Sequence, residues 1–210
     1  MLVFVDANIA LFAVPKTGST AYHLALKTTA DIAFAGKQAM KHMPLRKYDR
    51  HFAPFLRDAY KLSPERVAVM RDPVDQIRSW YKYRSRDGVR GGNAVPEGMC
   101  FDDFVAEVIA PKPQGFAKLG SQHTFLTSNT GALRVDHLFA YTHLDLLQGF
   151  LTQRIGKAFR TDRKNVSPQK EAPLSDAMRD ALRAARAEEF ALYDQVIAAG
   201  GHLHSPIGSN

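Results

Sequence analysis

A single cysteine, Cys100, stands among the 210 residues, so no disulfide can form within the chain and a reducing compartment suits it. No apolar run approaches the roughly 18 residues that span a bilayer. The start, Met1-Leu2-Val3-Phe4-Val5-Asp6, lacks the basic segment, apolar stretch and small-residue cleavage site of a signal peptide. These absences lead to the expectation of a soluble, cytoplasmic protein without membrane contact. Internal repeats and low-complexity linkers are missing too, and one domain over 1–210 is expected. There is no His-x-x-x-His pair, cysteine cluster or aspartate-rich loop, so no metal is expected.

Positive charge, by contrast, is in excess. Lysine and arginine number 28 against 21 acidic residues, a formal net charge of +7. Nucleic acid, a membrane surface or a polyanionic ligand would each suit that balance. No recognised nucleic-acid motif accompanies it, so a nucleic-acid partner is not expected.

Apolar runs at 3–5 and 9–14, separated by Asp6-Ala7-Asn8, predict a hairpin. A helix is expected over 19–32, a polar and basic stretch over 36–50, and a helix over 52–62. A buried strand at 66–70 leads into Asp72-Pro73, where Asp72 caps the next helix and Pro73 suits its first turn. Residues 86–98 read as a loop, 101–109 as a helix, 134–141 as a strand and 144–155 as a helix ended by Gly156. A basic loop follows over 157–170. One long amphipathic helix is expected over 175–199, capped by Ser175 and stopped by Gly200-Gly201. Strands alternating with helices point to an α/β protein with a parallel-type sheet.

Two junctions carry the chemistry. Leu11-Phe12-Ala13-Val14 runs into Pro15-Lys16-Thr17-Gly18-Ser19-Thr20 and then directly into a helix. A helix N-terminus presents backbone N–H groups to an anion, and the lysine adds a mobile positive charge. The triphosphate-binding loop needs a Gly-Lys pair, whereas here the lysine precedes the glycine by two positions. The second junction is Val67-Ala68-Val69-Met70-Arg71-Asp72-Pro73, with Ser79 eight residues after the arginine and Trp80-Tyr81 following it. Arg71 leaves the carboxyl end of a strand, where ligands of open α/β sheets bind, and a guanidinium gives phosphate a forked contact.

These two segments resemble the 5′-phosphosulfate loop and the 3′-phosphate motif of the sulfotransferase family that uses 3′-phosphoadenosine 5′-phosphosulfate (PAPS), in particular its small soluble, carbohydrate-sulfotransferase-like members. Weaker similarity runs through 122–131, Val135-Asp136-His137-Leu138, Asn165-Val166-Ser167-Pro168 and Leu192-Tyr193-Asp194, and so covers nearly the whole chain. Only the two phosphate motifs are specific. Ser19 departs from the second glycine that soluble members often carry.

The resemblance implies a P-loop-type three-layer fold with a mainly parallel central sheet flanked by helices. It implies sulfuryl transfer from PAPS, leaving adenosine 3′,5′-bisphosphate, to a hydroxyl of an acceptor such as a carbohydrate or small metabolite. Lys16 would stabilise the leaving bridging oxygen. Thr17, Gly18, Ser19 and Thr20 would hold the 5′-phosphate, and Arg71 with Ser79 the 3′-phosphate. For the base, His42 in Lys41-His42-Met43-Pro44 is the best match; His23, His51, His123 and His143 are rivals. Basic residues Arg160, Arg163 and Lys164 could close over the nucleotide, and the 84–90 stretch could select an anionic acceptor or a carbohydrate. The aromatic residues at 80–83 leave monomer or homodimer open. Two other readings stay open: a P-loop kinase or hydrolase, and a non-catalytic basic binder of nucleotide or nucleic acid.

Overall fold

A computed structural model describes residues 1–89, 91–161 and 171–207. Arg90, Arg163, Lys164 and Asn165-Val166-Ser167-Pro168, singled out above, lie outside the described residues. In chain order the elements are β1 (Leu2–Phe4), β2 (Ile9–Leu11), α1 (Ser19–Leu26), β3 (Ile32–Ala33), α2 (Gln38–Lys41) and α3 (Leu45–Lys47). A π-helical turn (Tyr48–Phe52) leads into α4 (Ala53–Tyr60), then β4 (Glu65–Met70), α5 (Pro73–Arg84), α6 (Phe101–Ile109) and α7 (Gln122–Leu126). Next come β5 (His137–Ala140), α8 (Leu144–Ile155), α9 (Asp176–Ala185), α10 (Ala187–Ala198) and β6 (His202–His204).

The β1–β2 hairpin forms as its sequence predicts, pairing Leu2 with Leu11 and Phe4 with Ile9. Asn8 takes the left-handed conformation at φ 49°, which asparagine tolerates in a turn. Among the described residues the sheet has six strands in the order β3-β1-β2-β4-β5-β6. Only β2–β4 and β4–β5 pair in parallel, whereas β1–β2, β1–β3 and β5–β6 are antiparallel. The sheet is therefore mixed rather than mainly parallel. The reason lies in the connections. A short hairpin can join only antiparallel neighbours, while the helical crossovers through α1–α4 and α5–α7 give the parallel centre.

β1, β2 and residues 67–70 of β4 are buried on both faces and continuously apolar, and the alternation of side chains divides each central strand between two layers. Leu2, Phe4, Ile9, Leu11, Val67, Val69 and Phe139 pack against Tyr22 and Leu26 of α1 and Leu147 and Leu151 of α8. Val3, Ala10, Phe12, Ala68, Met70 and Leu138 face Leu45, Tyr48, Leu56, Leu126 and Val196 on the other side. A third cluster joins α5, α6 and α9 around Phe101 and Phe104.

Three expectations are corrected. The helix predicted over 19–32 stops at Leu26, because Asp31 is drawn to the sheet edge, where its carboxylate accepts from Val5 N–H (2.7 Å) and its own N–H donates to Val3 O. The helix expected over 175–199 breaks at Arg186 (φ −125°, ψ 36°), whose guanidinium turns inward to Glu189. The 36–50 stretch, read as merely polar, holds α2 and α3, and the short α7 is capped by the Ser121 hydroxyl.

Candidate functional site

The loop after β2 is built from backbone constraints. Phe12 N–H still bonds Val67 O (2.8 Å), holding the strand path to the edge of the loop. Beyond Pro15 two residues take left-handed conformations, Lys16 at φ 68° and Gly18 at φ 73°. For a lysine that costs about 1 kcal/mol or more, an expense typical of a ligand-binding turn. Gly18 has a second reason to lack a side chain: a Cβ there would lie 3.2 Å from Tyr141 Cε2. Thr17 is buried, and its hydroxyl donates to Val14 O (2.9 Å), closing the loop on itself.

Among the described residues the N–H groups of Lys16, Thr17, Gly18, Ser19 and Thr20 make no well-aligned hydrogen bond. Gly18 gives α1 no side-chain cap. Left-handed Lys16 and Gly18 flank Thr17 and lead into the right-handed first turn of α1, and the N-terminus of a helix suits an anion.

Cations surround this loop. Lys16 Nζ sits 4.2 Å from the Tyr83 ring centre and 5.2 Å from that of Trp80. Arg84 lies over the same Trp80 ring (5.0 Å) and Arg86 over the same Tyr83 ring (5.4 Å). Among the described residues no carboxylate pairs with Lys16, Arg71, Arg84 or Arg86. Burial, with repulsion from Arg86, Arg71 and Arg84, lowers the Lys16 ammonium to a pKa of about 8. Such a concentration of positive charge favours an anion nearby. Lys41 joins it from α2, donating to Thr20 Oγ1 (2.9 Å).

Arg71 follows β4, and Asp72 caps α5 by accepting from Asp75 N–H, as its sequence predicts. The guanidinium of Arg71 stacks over Tyr141 (4.5 Å) and Nη1 reaches Lys16 O (3.5 Å), so the two strand–helix junctions meet. Its Nε is buried and has no partner among the described residues. Ser79 is buried on α5, one turn beyond Gln76, whose Nε2 donates to Pro15 O (3.3 Å). A cavity of about 70 Å³ opens beside the loop, between Pro15, Gln76 and Trp80 on one side and Ser121 and Gln122 on the other.

His42 caps the end of α2. Its Nδ1 lies 2.6 Å from Ala13 O, two residues before Pro15, and the carbonyl can only accept, so Nδ1 carries the proton. The neutral ring then offers Nε2 as a base. Burial, partly opposed by the Ala13 bond and reinforced by Lys41, holds its pKa below the ordinary histidine value.

The rivals are placed differently. His23 is buried with Nε2 on Phe34 O (3.1 Å), beside Thr17 and Ser19 in a cavity of about 20 Å³. His51 is exposed, His123 faces Glu188 (3.5 Å) and His143 lies against Thr142. Arg160 is exposed.

Lys41, Trp80, Tyr83 and Gln122 stood in segments quoted from the sequence but were given no role there, and the structure makes them site neighbours. The Trp80–Tyr83 platform had a signal, aromatic residues three apart on one helix face; a lone glutamine had none.

Comparison with protein-family models, with curated proteins and with solved structures returned no significant match. Among the described residues no group of three or more His, Cys, Asp or Glu side chains is placed to hold a metal ion, and no helix is long and apolar enough to cross a membrane.

Proposed function

We propose that the chain is a sulfotransferase that moves a sulfuryl group from PAPS to a hydroxyl of an acceptor. One observation carries the reading: among the described residues the loop amides of 16–20 lack well-aligned acceptors and Lys16 lacks a carboxylate partner, and Arg71 Nη1 bonds the Lys16 carbonyl. A ligand with phosphate-type groups at both ends of an adenosine answers both features. The parallel centre β2-β4-β5, with the loop leading into α1, accords with a P-loop-type fold. The reading puts the enzyme in the cytoplasm, where Cys100 stays a thiol.

The donor nucleotide supplies the sulfuryl group. In this mechanism the amides of 16–20, with the hydroxyls of Ser19 and Thr20, hold the 5′-phosphate, and Arg71 with Ser79 holds the 3′-phosphate. His42 Nε2 takes the acceptor's hydroxyl proton as the new S–O bond forms. The old S–O bond to phosphate breaks, and Lys16 stabilises the charge left on that oxygen, an effect worth about 3 kcal/mol in comparable oxyanion sites. The Trp80–Tyr83 platform confines the Lys16 ammonium to the site. A kinase of the triphosphate-loop type would require the Gly-Lys pair that this loop lacks.

Calorimetric titration with adenosine 3′,5′-bisphosphate tests the reading. The wild type is expected to bind it, and Arg71→Ala to lose about tenfold or more in affinity, the worth of a charge-assisted contact. Absence of binding by the wild type rejects the reading.

A further inference from the structure

At the end of β4 the ladder runs out. Met70 pairs with Ala140, but Arg71 lies beyond the last paired residues and still has an N–H and a C=O to satisfy. A side chain does this: Gln122 Oε1 accepts from Arg71 N–H (2.9 Å), and Gln122 Nε2 donates to Arg71 O (2.8 Å). The primary amide acts as one more residue of a neighbouring strand.

Gln122 is itself held. It is buried, and both its backbone N–H (3.0 Å) and its Nε2 (3.1 Å) donate to Glu189 Oε1. The other oxygen of Glu189, also buried, meets Arg186 Nη1 (3.2 Å), and Arg186 Nη2 donates to Leu119 O (3.4 Å). Arg186 sits at the break between α9 and α10, where its guanidinium reaches the buried Glu189. Because Glu189 and Arg186 neutralise each other, the network grips the backbone of Arg71 without supplying a counter-charge to its guanidinium.

We infer that Gln122 and Glu189 are positioning residues that set the selectivity of the site for a 3′-phosphate. The inference rests on the sulfotransferase reading. Fixing both backbone polar groups of Arg71 fixes the point from which its side chain leaves the strand. From there the guanidinium lies over Tyr141 with its Nε buried and unpartnered among the described residues. Among the described residues the loop makes no hydrogen bond to Gln122 or Glu189 and meets the network only through the Arg71 Nη1–Lys16 O contact (3.5 Å), so loss of the network weakens the 3′ end of the nucleotide more than the 5′ end.

The test compares adenosine 3′,5′-bisphosphate with adenosine 5′-phosphate by calorimetry on the full chain, as wild type, Gln122→Met, Gln122→Glu and Glu189→Gln. The wild type should prefer the bisphosphate. Gln122→Met and Gln122→Glu should each lose about tenfold in bisphosphate affinity, the scale of one charge-assisted contact, while 5′-phosphate affinity changes less than about threefold. Glu189→Gln keeps an acceptor for Gln122 and should retain most of the preference. If the Gln122 variants do not fold, Glu189→Ala, with the same titrations, should show the selective loss.

A purely structural network would weaken both ligands together or neither, and either result overturns the inference. A wild type that binds bisphosphate without preferring it over 5′-phosphate overturns the inference alone. A wild type that binds neither ligand overturns the sulfotransferase reading and takes the inference with it.

Discussion

Lys16 gives the account its sharpest consequence in pH. Burial and the neighbouring Arg86, Arg71 and Arg84 hold its pKa at about 8 in the free protein. At pH 7 it is roughly nine-tenths charged, and at pH 9 roughly nine-tenths neutral. A bound phosphate stabilises the ammonium and raises its pKa in the complex. The complex therefore holds a proton that the free protein has lost above pH 8, and binding must take that proton up. Provided the bound pKa exceeds about 9.5, affinity for adenosine 3′,5′-bisphosphate should be level near pH 7 and about tenfold weaker at pH 9. Titrations from pH 6.5 to 9.5, repeated in buffers of different ionisation enthalpy, read both the affinity and the proton count. Lys16→Met should bind more weakly and without this pH dependence. Arg86→Gln removes the largest repulsion and should move the break to higher pH. A wild-type affinity that stays level to pH 9.5 refutes the reasoning.

His42→Ala should lower kcat by about 10²-fold or more while leaving bisphosphate affinity nearly unchanged, as single-turnover and binding measurements on one preparation would show. Gly18→Ala forces a side chain into a left-handed position against Tyr141, so it should destabilise the fold by about 1 kcal/mol or more in urea unfolding and weaken nucleotide binding. His137 and His202 are both held below the ordinary histidine value, first by burial; for His137 the Glu65 bond opposes this, and for His202 repulsion from His137 adds to it. Neutral histidines favour the folded state, so their contribution is full above about pH 6.5 and is lost as pH falls from there through the folded pKa values. Melting temperature should drop between pH 7 and 5, and less steeply in His202→Asn.

Local chemistry was legible in the sequence wherever a short signal acts alone. The Asp72-Pro73 junction, the 101–109 helix, the Gly156 stop and the Asp6-Ala7-Asn8 turn each depend on residues within one or two turns of the chain. The alternation of strands with helices also carried the α/β class. Strand direction did not follow from those signals, because it is decided by which connections cross the sheet; β3 and β6 are short, and β6 is two-thirds histidine. The break at Arg186 was hidden because the helical period continues through it, and only the buried Glu189 explains the turn. At the site, the loop and Arg71 were marked by sequence pattern. Their contact through Lys16 O, the caging of Lys16 by Trp80 and Tyr83, and the grip of Gln122 on Arg71 arise from residues 50 or more apart, where no period operates.

The most direct measurement is transfer itself: purified protein with radiolabelled PAPS and a panel of hydroxyl acceptors, followed by quantitation of labelled product and adenosine 3′,5′-bisphosphate. The account predicts equal amounts of both with the wild type and a loss of about 10²-fold or more with Lys16→Met. Binding of the bisphosphate with no labelled product from any acceptor, or equal turnover by Lys16→Met, would contradict it.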